Sequence, residues 1–195
     1  MRKYRPATAG RVPAARGAAT LAVLILVTLP VGCAAPIVEA AMVARDQSIY
    51  QSNLAAAQAG NAEAELKVGN ALCCSVSADQ PFYNTQRATE FLCRAAIQGN
   101  RDAMFRLGRI YDGDAVDGLR AGRRLAAAVA DAPLHPVAAW TWFSLAADAG
   151  APDGARRAEQ VRTHMSAPQL AQARQLQAAG ARAMPCTESE VAHGA

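Results

Sequence analysis

Along most of the chain, apolar positions recur in steps of three and four. In Ala88-x-x-Phe91-Leu92-x-x-Ala95-Ala96, and again in Ala139-x-x-Trp142-Phe143-x-x-Ala146-Ala147, those steps set aromatic and alanine side chains on one stripe of a helix. Small residues on such a stripe let a neighbouring helix approach closely, and the aromatic pair fills the wider gap beside them. Gly60, Gly99 and Gly150 come where a left-handed residue would end each helix. Asn61 and Asn100 are next, suited to cap the following helix through their side-chain oxygens. Ser166 is placed to cap a last helix that runs on through Pro168 and Gln169. The pattern predicts an all-α chain of antiparallel helix pairs, with about seven or eight helices.

The pattern also repeats. At an offset of 39 residues, Ala56-Ala57-x-x-Gly60-Asn61-x-x-Ala64-x-x-x-Val68-Gly69 matches Ala95-Ala96-x-x-Gly99-Asn100-x-x-Ala103-x-x-x-Leu107-Gly108. Alanine coincidences carry little weight in an alanine-rich chain, but two glycine pairs and an asparagine pair at one offset are not products of composition. Gly69 and Gly108 fall inside the second helix of each unit, where glycine costs about 1 kcal/mol relative to alanine. Close helix contact at those positions is the expected reason. A third copy, Ala146-Ala147-x-x-Gly150, continues to Gly154 where the others have alanine, and has Ala158-Glu159 in place of Leu-Gly. The interval from Gly99 to Gly150 is 51 residues, 12 longer than the offset, so an additional helix is expected near residues 114–133. At the other end, the helix from Asp46 to Ala59 has Ser52-Asn53 where the aromatic pair belongs, which suits an exposed cap.

On these residues the chain resembles the Sel-one-like repeat family, a branch of the tetratricopeptide-like solenoids. The family's pattern of Ala, an aromatic pair, Ala-Ala, Gly, Ala, Leu-Gly and Tyr is met most fully from Ala88 to Tyr111. The 39-residue spacing also suits it, being longer than that of tetratricopeptide repeats. The resemblance implies an α-solenoid of antiparallel helix pairs over residues 45–183, packed through Gly60, Gly69, Gly99, Gly108, Gly150, Ala95, Ala96, Ala146, Ala147, Trp142 and Phe143. It implies an adaptor or scaffold that binds another protein or peptide, with no catalytic residue and no cofactor.

Charge changes the picture at one end only. Of the 20 basic side chains, Arg2, Lys3, Arg5, Arg11 and Arg16 all precede the first acidic residue, Glu39, leaving 15 against 16 acidic ones in the remainder. A basic isoelectric point that resides in the leader gives no support to nucleic-acid binding. The basic start followed by the dense apolar run from Leu21 to Leu29 reads as a secretory signal peptide over residues 1–32. That run is too short to span about 30 Å of hydrocarbon, so an uncleaved anchor ranks second. Cys33 comes at the end of Leu29-Pro30-Val31-Gly32-Cys33, which resembles the lipobox of bacterial lipoproteins, with Pro30 departing from the family's usual leucine. The resemblance implies diacylation of Cys33, anchoring to the membrane through those chains, and a tether over residues 33–44. Ala34 suits sorting to the outer membrane, facing the periplasm. The other reading is cleavage near Ala34-Ala35 or Ala40-Ala41, which gives a soluble periplasmic protein.

With Cys33 acylated, Cys73, Cys74, Cys93 and Cys186 remain, an even number that favours disulfides in an oxidising compartment. A direct Cys73–Cys74 bridge is expected to be sterically poor, so each is expected to pair with a different partner, Cys93 or Cys186. A metal site is disfavoured, since there is no C-x-x-C and no histidine near these thiols. His135, His164 and His193 read as surface or capping residues. The chain contains no G-x-S-x-G elbow, no phosphate-cradling G-x-x-x-x-G-K and no H-E-x-x-H. Some related cysteine-rich repeat proteins have been linked to penicillin binding, which makes a cell-wall-active hydrolase or penicillin-binding protein the alternative function. The Ser-x-x-Lys nucleophile of that chemistry is missing, because the only lysines are Lys3 and Lys67 and neither comes after a serine at that spacing. Asp112-Gly113-Asp114-x-x-Asp117-Gly118 lacks the ligand alternation and distal glutamate of a calcium loop and reads as ordinary turn chemistry. Arg120, Arg123 and Arg124 form either a solvated helix face or a patch for an acidic partner. Residues 184–195 read as a C-terminal tail.

Overall fold

The computed structural model of the chain describes residues 31–74, 82–114 and 135–186. Among the described residues there are seven α-helices, one 3-10 turn and no strand. The helices are α1 (Val31–Gln58), α2 (Ala62–Leu72), α3 (Thr85–Ile97), α4 (Arg101–Asp112), α5 (Pro136–Asp148), α6 (Gly154–Arg162) and α7 (Ala167–Ala179), with the turn at Ala181–Ala183. The chain divides into two compact units, Met1–Met42 and Val43–Ala195. In the first, the described residues, 31–42, are helical. The expected signal peptide up to residue 30, the additional helix expected near 114–133 beyond Asp114, and the expected tail beyond Cys186 lie outside the described residues.

Residues 33–44, expected as a tether, are helical and belong to α1. Alanine is the best helix former, and no glycine occurs between Gly32 and Gly60 to break the run. Such a helix needs no amphipathic face, which is why hydrophobic periodicity fails to reveal it. Further along α1 a stripe does emerge, through Val43, Asp46, Ile49, Tyr50, Asn53, Leu54 and Ala57, all at least half-buried, while the positions between them are exposed. Ser52 donates to the Ser48 carbonyl at 2.8 Å and Asn53 to the Ile49 carbonyl at 2.8 Å, so both side chains turn back on their own helix.

In the second unit, α2 packs on α3, α3 on α4, α4 on α5, and α5 on both α6 and α7. The joints between helices use local backbone chemistry. Gly60, Gly99 and Gly150 hold φ of +87°, +91° and +87°, the left-handed conformation that ends α1, α3 and α5. Asn61 Oδ1 then accepts from the Ala64 N–H and Asn100 Oδ1 from the Ala103 N–H, each at 2.9 Å, opening α2 and α4. Ser166 and Gln169 form a reciprocal capping box at the start of α7. The apolar core runs through Val68, Leu72, Leu92, Leu107, Tyr111, Trp142 and Phe143, which are all buried.

The cysteine pairing also differs from the expectation. Cys73 and Cys74 are bonded to each other, across a cis peptide with a Cα separation of 3.0 Å, and Cys93 is bonded to Cys186. The reason is where the chain returns. After α7 the 3-10 turn packs against both α7 and α3, which brings the Cα of Cys186 to 5.7 Å from that of Cys93. That places the pair within the ordinary span of a disulfide and commits Cys93 away from the end of α2.

Candidate functional site

Close helix contacts lie where α2 meets α3, where α4 meets α5 and where α6 meets α5. A Cβ built on Gly69 would stand 2.6 Å from Leu92 Cγ and 3.1 Å from the Ala88 carbonyl oxygen. One built on Gly108 would stand 2.6 Å, 2.7 Å and 2.9 Å from three atoms of the Phe143 ring. Each glycine is therefore a slot in its helix, occupied by a buried side chain from the next. The third unit has no such slot, yet Gly154 lies even closer to backbone: its Cβ would fall 2.6 Å from the Ala147 amide nitrogen and 2.8 Å from the Phe143 carbonyl oxygen. Gly154, where the earlier copies carry alanine, is thus needed for α6 to reach α5. Ala95, Ala96 and Ala146 are fully buried on the same faces, and Ala147 is half-buried.

Two polar networks tie neighbouring units together, and neither is visible in the local sequence. Glu65 on α2 is only 1% exposed. Its carboxylate meets Arg94 Nε at 3.1 Å and accepts from Gln98 Nε2 at 2.7 Å, both partners coming from the far end of α3. Burial raises its pKa above the ordinary glutamate value, with Arg94 and Gln98 opposing the rise. Arg94 also stacks over the Phe91 ring at 4.3 Å. The second network stands at the end of α4, where Gly113 takes φ +83° to close the helix. Arg157 of α6 donates to Asp112 at 2.9 Å and to Asp114 at 2.6 Å, and its guanidinium lies 5.3 Å from the Phe143 ring centroid. Arg109 Nε donates to the Asp114 carbonyl at 3.0 Å. Asp112 is raised from the ordinary aspartate value, chiefly by burial, against the pull of Arg157.

These contacts decide what the charged residues are available for. Asp112 and Asp114, the acidic turn with a superficial likeness to a calcium loop, have their carboxylates turned to Arg157. On α6 the outer charges pair within one helical turn, Arg156 with Asp153 and Arg162 with Glu159. Arg162 holds the Glu159 carboxyl below the ordinary glutamate value. At the N-terminal end of the second unit, Tyr83 donates to Asp46 at 2.9 Å and Arg87 donates to Tyr50 Oη at 3.1 Å, joining α1 to the start of α3.

His135 opens α5, donating its backbone N–H to the Tyr111 carbonyl at 3.0 Å with its ring edge-on to Tyr111. His164 comes after α6 beside Asp112, whose pKa it helps to lower. Cys33 lies in the first turn of α1. Arg120, Arg123, Arg124 and His193 lie outside the described residues. Among the described residues no group of three or more His, Cys, Asp or Glu is placed to hold a metal ion, and no helix is long and apolar enough to cross a membrane. The two disulfides are the pairing expected of a chain that matures in an oxidising compartment. Comparison with known families, with curated proteins and with solved structures finds no match.

Proposed function

We propose that the chain is an exported, lipid-anchored Sel-one-like α-solenoid that binds another protein or peptide in the cell envelope and serves as an adaptor or scaffold. The observation that carries this reading is the pair of slots at Gly69 and Gly108, 39 residues apart, each filled by a side chain from the next helix. Helices that pack in series, α2 on α3, α3 on α4 and α4 on α5, leave their outer faces as one extended surface, and surfaces of that kind act by binding. The oxidised cysteines support export, and Cys33, placed after the apolar run of the leader, is the residue that would carry the lipid and hold the protein at the membrane. The cluster Arg120, Arg123 and Arg124 is the region we assign to the partner, which would be acidic there.

Crosslinking in intact envelopes tests the binding role. One partner at fixed stoichiometry, lost when Arg120, Arg123 and Arg124 are all replaced by glutamate, is the expected result. Turnover of labelled peptidoglycan by the purified protein, abolished by a single side-chain change, would refute it. Labelled palmitate tests the anchor separately: incorporation should vanish in Cys33→Ser, and its persistence would remove lipidation from this residue.

A further inference from the structure

The two disulfides stand in opposite relations to the fold. Cys93 and Cys186 are 93 residues apart in the chain, and only folding brings them together. Whatever free energy that crosslink adds to the folded state, the folded state returns as resistance of the crosslink to reduction, because the two quantities close one thermodynamic cycle. For a loop of this length the chain-entropy model sets the effect at about three powers of ten in the equilibrium constant. Cys73 and Cys74 are adjacent in sequence. They are neighbours in the unfolded chain as well, so their bond restrains no loop and gains no such protection. A crosslink that adds nothing to stability is not accounted for by the architecture.

Position points the same way. Cys73 ends α2, its N–H donating to the Gly69 carbonyl at 3.0 Å, and the Asn84 N–H reaches back to the Leu72 carbonyl at 3.0 Å. The adjacent pair therefore sits at the joint between α2 and α3, one turn from the Gly69 slot. Cys73 is 8% and Cys74 6% exposed, covered but at a helix end, whereas Cys93 is 1% exposed and inside α3. Helix ends open locally at far less cost than packed helix interiors.

We propose that Cys73–Cys74 is a thiol–disulfide exchange site for an external dithiol, while Cys93–Cys186 is a permanent clasp. A thiolate of the external dithiol attacks one sulfur of the pair, forming a mixed disulfide as the other sulfur leaves as a thiolate. The second thiol of the reductant then displaces the first protein sulfur, and the reductant departs as its own disulfide. Two electrons pass to the protein, and Cys73 and Cys74 take up the two protons that the dithiol releases.

The test uses the full chain in buffers of reduced and oxidised dithiothreitol at graded ratios. Samples are quenched in acid, alkylated with N-ethylmaleimide and mapped by peptide mass spectrometry. Cys73 and Cys74 should be labelled at ratios at least about 100-fold less reducing than those that open Cys93–Cys186, with the chain-entropy model placing the gap near 1,000-fold. The melting temperature of the selectively reduced protein should stay within about 2 °C of the oxidised one, since no loop is released. Opening of both pairs together, opening of Cys93–Cys186 first, or a melting point that falls on selective reduction would overturn the proposal. So would recovery of Cys73 or Cys74, before any reduction, as a free thiol or bonded to Cys93 or Cys186. None of these readouts depends on a variant that must fold.

Discussion

Replacing Gly108 by alanine adds a single methyl group, and the surroundings of that position set its effect. In the interior of α4 the change alone is favourable by about 1 kcal/mol, because alanine is the better helix former. The new Cβ would stand 2.6 Å, 2.7 Å and 2.9 Å from three atoms of the Phe143 ring, about 1 Å inside ordinary carbon–carbon contact. The ring is rigid and wholly buried, with Phe105 at 5.3 Å between centroids on one side and Arg157 on another. It cannot swing away as the tip of a flexible side chain would. Overpacking of this kind costs about 1–3 kcal/mol, and three contacts at once place it near the top of that range. The net expectation is a loss of about 2 kcal/mol, or about 6 °C in melting temperature for a domain of this size. A double-mutant cycle with Phe143→Ala isolates the cause. With the ring gone, Gly108→Ala should become neutral or stabilising, a coupling of about 2–3 kcal/mol. Calorimetry of the four proteins decides the matter. A wild-type background in which Gly108→Ala raises the melting temperature, or a cycle that is additive within about 0.5 kcal/mol, would refute the reasoning.

Glu65 and Asp112 both have pKa values raised by burial, so the folded chain binds their protons more tightly than the unfolded chain does. Their contribution to stability is full below the ordinary carboxylate range and is lost as pH rises through the raised values. Glu65→Gln should therefore flatten the fall in melting temperature above about pH 4.5; a slope equal to that of the wild type would dismiss the burial argument. Arg157→Ala leaves Asp112, 17% exposed, without its main counter-charge, and should cost about 1–3 kcal/mol by urea denaturation, partly recovered by adding Asp112→Asn. Asn100→Ala removes the cap of α4 and should cost about 1 kcal/mol, with an equal loss expected for Asn61→Ala at α2. Replacing Cys93 and Cys186 together by serine should cost about 2–5 kcal/mol in thermal unfolding, and a cost below about 1 kcal/mol would show that the clasp does not restrain the loop.

The parts of the fold legible in the sequence are those whose cause is local. A glycine with asparagine directly after it, at the end of an alanine-rich stripe, carries its own backbone argument, and Gly60-Asn61 and Gly99-Asn100 act as that argument requires. A glycine inside a helix has an intrinsic cost, so Gly69 and Gly108 point to close contact before any neighbour is known. What they touch is a different matter, because Leu92 and Phe143 come from other helices. The start of α1 escapes notice since alanine builds a helix without a patterned face. Glu65 reads as one more exposed charge in Ala62-Glu63-Ala64-Glu65, and only the far end of α3, 33 residues on, makes it a buried partner. Arg157 and Asp112 are 45 residues apart for the same reason. Cysteine spacing around α2 and α3 does not reveal the pairing either, because the deciding element is the chain's return after α7.

The two slots differ in what they admit: a branched aliphatic tip beside Gly69, a flat ring beside Gly108. Proteins assembled from similar modules risk docking out of register while they fold, one hairpin settling on a neighbour two places away. Seams cut to unlike keys discourage that error, because a ring offered to the wrong cleft finds too little room, and an isobutyl group offered to the other leaves a void. The likeness between the two matched segments is thus broken at the positions where mispairing would begin.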